Sequence, residues 1–238
     1  LIQYITYYSI LSFLFYGCNT DHKYMSELRQ IDSLIYSYPQ QALTLLQQIS
    51  LDSLSSKEEN AYYGLLLSHA SDRNERNLLP CDSLLNLAID YYRKGFNKGR
   101  SLFYKARLLT AMGMEDEAMG YYFGSLKEFG HTPREIRFKG MVYEDLGNIY
   151  FDQAIYKEAL EKYTTALKYY SIINDKKAMI YASSMASSVC LVDSDNKKAH
   201  HFLNMEMQLA KEINDSCYIS NTLQHASVFY ESTDKPDS

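Results

Sequence analysis

A recurrence of small residues limits this chain more than any other feature of its sequence. Ala106, Gly147, Ser187 and Ala226 follow one another at intervals of 41, 40 and 39 residues, and Ala118, Ala159 and Ala199 at 41 and 40. Large apolar residues stand three or four positions from each, the spacing of one helix face. Helices that approach closely need small residues where the backbones meet and large ones to fill the gaps beside them. A helix bundle needs no constant period. An array of hairpins does, because each hairpin buries its apolar face only against the next. The recurrence therefore predicts an all-α chain, an α-solenoid of antiparallel helix hairpins. Only 4 Pro and 10 Gly in 238 residues leave too few breakers for a β-sandwich.

The stretch Tyr143 to Ala166 shows the pattern best: YEDLGNIYFDQAIYKEALEKYTTA. Its order of aromatic, Leu-Gly, Tyr, Ala, aromatic, Ala resembles the tetratricopeptide (TPR) repeat. With Gly140 as repeat position 1, Tyr143 stands where that family usually has Trp. Leu146, Gly147, Tyr150, Ala159, Tyr163 and Ala166 match its other small and large positions. Ser171 stands where its proline is usual. The standard repeat has about 34 residues; the extra turn here lies in the second helix and its loop, as in LKYYSIINDKK and LAKEIND. The resemblance covers about residues 22–231 and is strong over 99–213.

Taken in order, His22 to Tyr38 reads as a helix through Met25, Leu28, Ile31, Leu34 and Ile35. Pro39 opens a second with Ala42, Leu45, Leu46 and Ile49. Ser56 and Glu59 form a capping box ahead of a third helix over roughly 57–72, packed through Tyr62, Leu65, Leu66 and Ala70. SDRNERN reads as a polar turn, and Pro80 starts a fourth helix with Leu84, Leu87, Ala88 and Tyr91. This pair fits the repeat poorly, with Leu66-Leu67 in place of Leu-Gly. Leu102, Ala106 and Leu109 then pair with Ala118, Tyr122 and Ser125 across the acidic turn GMEDEA. Beyond the central repeat, Ser183, Ala186, Ser187 and Cys190 pair with Ala199, Leu203 and Glu206. The last helix starts near Asp215 and packs through Ile219, Leu223, Ala226 and Phe229. The repeated IND at 173–175 and 213–215 places an Asp to cap each following helix. In Tyr91-Tyr92, Tyr121-Tyr122 and Tyr169-Tyr170, one ring of each pair is expected inside and the other partly outside.

The TPR resemblance implies a right-handed superhelix whose concave groove, lined by the first helix of each repeat, binds a protein or peptide. The groove positions transfer to Arg100, Phe103, Arg107 and Thr110, to Met141, Glu144, Asn148 and Phe151, and to Tyr181, Ser184, Ser188 and Leu191. Arg107 and Asn148 would lie in one row and grip a carboxylate.

Net charge is −5 with acids and bases interspersed, which leaves no basic footprint for nucleic acid or polybasic patch for anionic lipid. No phosphate-binding glycine loop, HExxH or GxSxG occurs. His200 and His201 are adjacent and point about 100° apart on a helix, which suits solvent better than a metal. The expectation is a non-enzymatic protein with no catalytic residues, no cofactor and no metal.

Residues 1–17, LIQYITYYSILSFLFYG, are apolar and uncharged, and a small residue precedes Cys18. This resembles a bacterial lipoprotein signal, which implies lipidation of Cys18 and anchoring in the bacterial cell envelope. Phe15 stands where Leu is usual, and the basic leading segment is missing. An ordinary cleaved signal and an uncleaved anchor remain open, but the polar NTDHK straight after Cys18 favours the lipoprotein. The segments are then 1–18 as signal, 19–231 as repeat domain and 232–238 as tail. The functional expectation is an envelope-anchored binding scaffold. The alternative is the sensory half of a longer membrane-bound regulator. Cys81, Cys190 and Cys217 are neither a disulfide framework nor a zinc pattern, and Cys190 reads as a buried thiol.

Overall fold

The computed structural model describes residues 24–233. Cys18, the signal-like segment and residues 234–238 lie outside the described residues. Eleven α-helices make up the described chain, with no strand among them. They are α1 Met25–Leu34, α2 Pro39–Gln48, α3 Lys57–Arg73, α4 Asp82–Tyr91, α5 Phe96–Ala111, α6 Glu115–Glu128, α7 Pro133–Asp152, α8 Tyr156–Ile172, α9 Lys176–Val192, α10 Asn196–Ile213 and α11 Ser216–Thr233. The chain divides into two compact units that meet within α5, at Leu108 and Leu109. In each unit every helix packs on its neighbours in sequence, the arrangement of an α-solenoid.

In unit 1, α1 packs on α2 and α3, α2 on α3, and α3 on α4. The capping box forms: Glu59 N donates to Ser56 Oγ at 3.1 Å and Ser56 N donates to Glu59 Oε2 at 3.3 Å. Glu59 also accepts from Tyr24 N at 2.7 Å and Ser55 N at 3.0 Å, and so ties the start of α1 to α3. Burial works against this carboxylate's charge, but the donors outweigh it and hold its pKa below the ordinary value.

Two expectations for this unit need correction. The face of α4 is turned: Leu85 and Ala88 are buried, while Leu87 and Tyr91 are exposed. Pro80 opens a 3-10 turn, Leu79–Cys81, and the α-helix starts only at Asp82, which shifts the register. The small residue between α3 and α4 is Gly64, not a substitute at Leu66-Leu67. A Cβ on Gly64 would lie 2.7 Å from Leu84 Cβ and 2.8 Å from its carbonyl oxygen.

In unit 2, α6 to α11 each pack on the next, and the period is visible in the backbone itself. Gly113, Ala154 and Ser194 have positive φ inside successive hairpins, and Asn174 and Asn214 have it between them. Four of these turns close with an N–H bonded five residues back. Met114 donates to Leu109, Ile155 to Tyr150, Asp175 to Tyr170 and Asp195 to Cys190, all at 2.8–3.0 Å. This is the helix-ending motif that a left-handed residue permits.

Only one of the three hairpin turns uses glycine, which makes a paired prediction. Ala154→Gly is expected to stabilise unit 2 by roughly 0.5–1 kcal/mol, the left-handed penalty less the added freedom of the unfolded chain. Gly113→Ala, with open space around its Cβ, is expected to destabilise by about 1 kcal/mol. Urea unfolding of the two variants checks the opposite signs.

The register of the buried face is a constant 40. Val142, Ala182 and Thr222 are buried, as are Leu146, Ala186 and Ala226, and Ile149, Val189 and Phe229. Ala226 is thus the counterpart of Ala186, and Ser227 that of Ser187, which corrects the 39-residue interval. The capping Asp175 and Asp215 accept from Ala178 N and Cys217 N, and they fix the helix starts 40 residues apart. Gly147 takes the ring of Tyr163, whose nearest atom would lie 2.8 Å from an added Cβ; Gly140 receives the ring of Tyr170 in the same way. Tyr122 and Tyr170 are buried beside half-buried Tyr121 and Tyr169, while neither Tyr91 nor Tyr92 is. Cys190 is buried, and burial pushes its thiol pKa up to about 11, with Asp195 adding to it.

Candidate functional site

The structure buries two of the expected partner-facing residues of unit 1, Arg100 and Phe103, and leaves Arg107 half-buried. Arg100 is 0% exposed. Its Nη2 donates to Asp32 Oδ1 at 2.8 Å and its Nη1 to Asp32 Oδ2 at 3.3 Å. Nη2 also lies 2.9 Å from His69 Nδ1. A guanidinium only donates, so that nitrogen must accept and the ring's proton sits on Nε2. Tyr62 donates to the same Asp32 at 3.0 Å. Burial opposes the charge of Arg100, but Asp32 restores it and the pKa stays raised. Phe103 is also fully buried, beneath the Arg107 guanidinium at 4.7 Å. Arg107 donates to Asp72 at 2.7 Å.

Arg100 and Phe103 are therefore core, a correction to their expected place on a binding surface. Arg107 is held by a carboxylate of the chain's own. The physical reason is that α5 packs here against α1 and α3, whose spacing departs from the 40-residue register. The partner Asp32 lies 68 residues from Arg100, and no local pattern marks it.

In unit 2 the other expected residues lie on α7 and α9, the first helices of successive hairpins. On α7, Glu144 accepts from the Tyr170 hydroxyl at 2.9 Å, and Asn148 Oδ1 accepts from the Tyr163 hydroxyl at 2.6 Å. The rings of Tyr163 and Tyr170 are core, and their hydroxyls orient the two polar side chains on α7. Phe151 packs against the buried cluster of Ala159, Tyr163, Ala186 and Val189. Tyr181 on α9 is 45% exposed. Burial first, and then the nearby Tyr181 and Glu144, push the Tyr163 pKa far up, so this phenol stays a neutral donor.

Ser184 and Ser188 on α9 meet a residue of α11 that sequence reasoning missed. His225 Nδ1 lies 3.2 Å from Ser184 Oγ, and its Nε2 lies 3.2 Å from Ser188 Oγ. His225 Nδ1 also lies 2.7 Å from Glu206 Oε2, a carboxylate of α10 that is 2% exposed. One signal for this was present. Ser125, Ala166 and Glu206 recur at core positions 41 and 40 residues apart, and a carboxylate in that row demands a partner. Nothing local named His225 as that partner.

Ser188, His225 and Glu206 stand in the order nucleophile, base and acid. Ser188 Oγ donates to the Ser184 carbonyl at 3.0 Å, so its proton is directed along α9. The backbone N–H groups beside a mid-helix serine are taken by intrahelical bonds.

Surface depressions lie elsewhere among the described residues, one of about 540 Å³ bordered by Tyr38, Pro39, Thr44 and Leu45 and another of about 390 Å³ bordered by Asn204, Met207, Lys211 and Glu212. Among the described residues no three His, Cys, Asp or Glu side chains converge to hold a metal, and no helix is long and apolar enough to cross a membrane.

No protein-family model matches this chain, and no curated protein matches it. Among solved structures its fold is similar to that of BtubC (BKLC) from P. vanneervenii, with a TM-score of 0.60 over 90% of this chain and 83% of that one. The two sequences are 14% identical, a level at which the likeness speaks for the helical fold alone.

Proposed function

We propose that this chain is a non-enzymatic, TPR-like scaffold that holds a peptide or protein partner on the α7–α9–α11 face of unit 2. The observation that carries the reading is the pre-organisation of that face. Buried tyrosine hydroxyls orient Glu144 and Asn148, and His225 orients Ser184 and Ser188, all on helices rather than loops. Polar groups already locked in place lose little entropy when a ligand arrives. Tyr181 supplies the exposed aromatic anchor of the kind that concentrates binding energy.

Peptide-display selection on the full chain is expected to recover segments that this face holds. Tyr181→Ala and Ser184→Ala should each weaken the selected peptide about tenfold. Binding indifferent to both substitutions would overturn the reading.

We further propose that Cys18 is lipidated and anchors the chain in a bacterial envelope. The sequence motif supports this, and mass spectrometry of the mature N-terminus tests it. A diacylglyceryl adduct on Cys18 is expected; an unmodified Cys18 in a bacterial host would remove the anchor.

A further inference from the structure

A buried histidine of unit 1 is held in its neutral form by what surrounds it. His69 lies on α3 and is 0% exposed. Its ring stacks on Tyr104 of α5 with centroids 5.2 Å apart, and Tyr36, just past the end of α1, meets it edge-on at the same distance. Nδ1 accepts from Arg100 Nη2 at 2.9 Å. A guanidinium only donates, and it keeps its charge. A proton on Nδ1 would set N–H against N–H and one cation against another, inside a site where such charges repel strongly.

The other charged groups around the ring do not relieve this conflict. Asp32 of α1 is bound by both terminal nitrogens of Arg100 and by the Tyr62 hydroxyl. Asp72 of α3 is bound by Arg107 of α5. Arg73 of α3 lies over the Tyr36 ring at 5.7 Å and adds a further positive charge. Helix α2 carries no charged residue. On α4, Asp82 is bound by Lys105 of α5, and Asp90 is exposed. Burial raises the pKa of Tyr104, so that phenol stays neutral. Asp32 and Asp72 thus each already answer a cation, and a charged His69 would be surplus.

We propose that His69 is an acid-sensitive latch, and that its protonation opens unit 1 while unit 2 stays closed. The histidines of unit 2 carry no such conflict. His131, His200 and His201 are exposed, and His225 lies 2.7 Å from the Glu206 carboxylate, which suits its charged form. An unfolded histidine takes up its proton near pH 6.5, roughly, whereas His69 in the closed unit does not. Below that pH the open state binds one proton more, so closure weakens by up to about tenfold for each unit the pH falls. Above about pH 7 the latch has no effect. Carboxylates titrate lower, near pH 4, roughly, so the interval from 7 to 5 isolates the histidine. The latch does not involve the proposed partner face of unit 2, and the two readings fail separately.

Hydrogen exchange of the full chain at pH 7, 6 and 5, corrected for the intrinsic rates, tests this. The opening equilibrium in α1, α3 and α5 should rise about twentyfold from pH 7 to 5, and α7 to α10 should not follow. His69→Gln offers Arg100 an amide oxygen without a titrating ring, and it should abolish the rise. Should that variant melt early, the imidazole nitrogen shifts of the unsubstituted protein decide: the ring should stay neutral, with its proton on Nε2, while unit 1 is closed. A protonated His69 in a closed unit 1, exchange in α1, α3 and α5 that ignores pH, or the same rise in His69→Gln would each overturn the proposal. A rise shared equally by unit 2 would mean general acid unfolding and would overturn it too.

Discussion

Asp32→Ala is expected to destabilise unit 1 by about 3–5 kcal/mol, the range seen when one partner of a buried ion pair is removed. The substitution leaves the Arg100 guanidinium at 0% exposure without its carboxylate. It also takes the acceptor from the Tyr62 hydroxyl. An arginine cannot escape by losing its proton, so the charge must be solvated by opening the unit. Hydrogen exchange in α1, α3 and α5 should accelerate together, since Asp32, Tyr62 and His69, and Arg100 link those three helices. The control is the double replacement Asp32→Leu with Arg100→Met. It removes both charges and should recover most of the loss, because a buried pair is worth little over apolar residues of similar size. A loss under about 1 kcal/mol for Asp32→Ala would show that the pair is not sealed from water.

The second large effect lies where α7 meets α8. Gly147→Ser places an atom 2.8 Å from the ring of Tyr163, which is fully buried and tethered through its hydroxyl to Asn148. The ring has nowhere to swing, and overpacking of this kind costs about 1–3 kcal/mol. Tyr163→Leu by itself leaves a cavity over Gly147 and costs about 2–4 kcal/mol. The next hairpin has already made both exchanges, with Ser187 and Leu203 forty residues on from Gly147 and Tyr163. There the serine hydroxyl donates to the Ala199 carbonyl, and Ala159 is the counterpart of Ala199. The double variant should therefore lose at least about 1 kcal/mol less than the two single losses together. Urea unfolding of the four proteins of the cycle measures this. Strict additivity would mean that glycine and tyrosine do not share one packing site.

Both predictions draw on the same contrast between kinds of residue information. The helices, the capping box at Ser56 and Glu59, the capping Asp175 and Asp215, and the rows through Ala118, Ala159 and Ala199 were legible because each is a local pattern. A cap, a turn or a helix face is written within about ten residues, and repetition at a fixed period reveals which faces must meet. The placement of Glu144, Asn148, Tyr181 and Ser184 on α7 and α9 was legible for the same reason: they sit at fixed offsets from the small residues of their hairpins. Gly64 was missed because a close approach to Leu84 leaves no periodic mark, and α4 was misread by one position because a short 3-10 turn preceded it.

What the sequence by itself determined is therefore an all-helical array of hairpins, its register and most of its interior. What only the tertiary structure decided is which polar side chains are spent inside and which are left to act. Arg100 with Asp32, Arg107 with Asp72, and His225 with Glu206 pair residues 68, 35 and 19 positions apart. Each pairing follows from where helices come to rest against one another, and side chains alike in sequence become core or surface only once that contact is made.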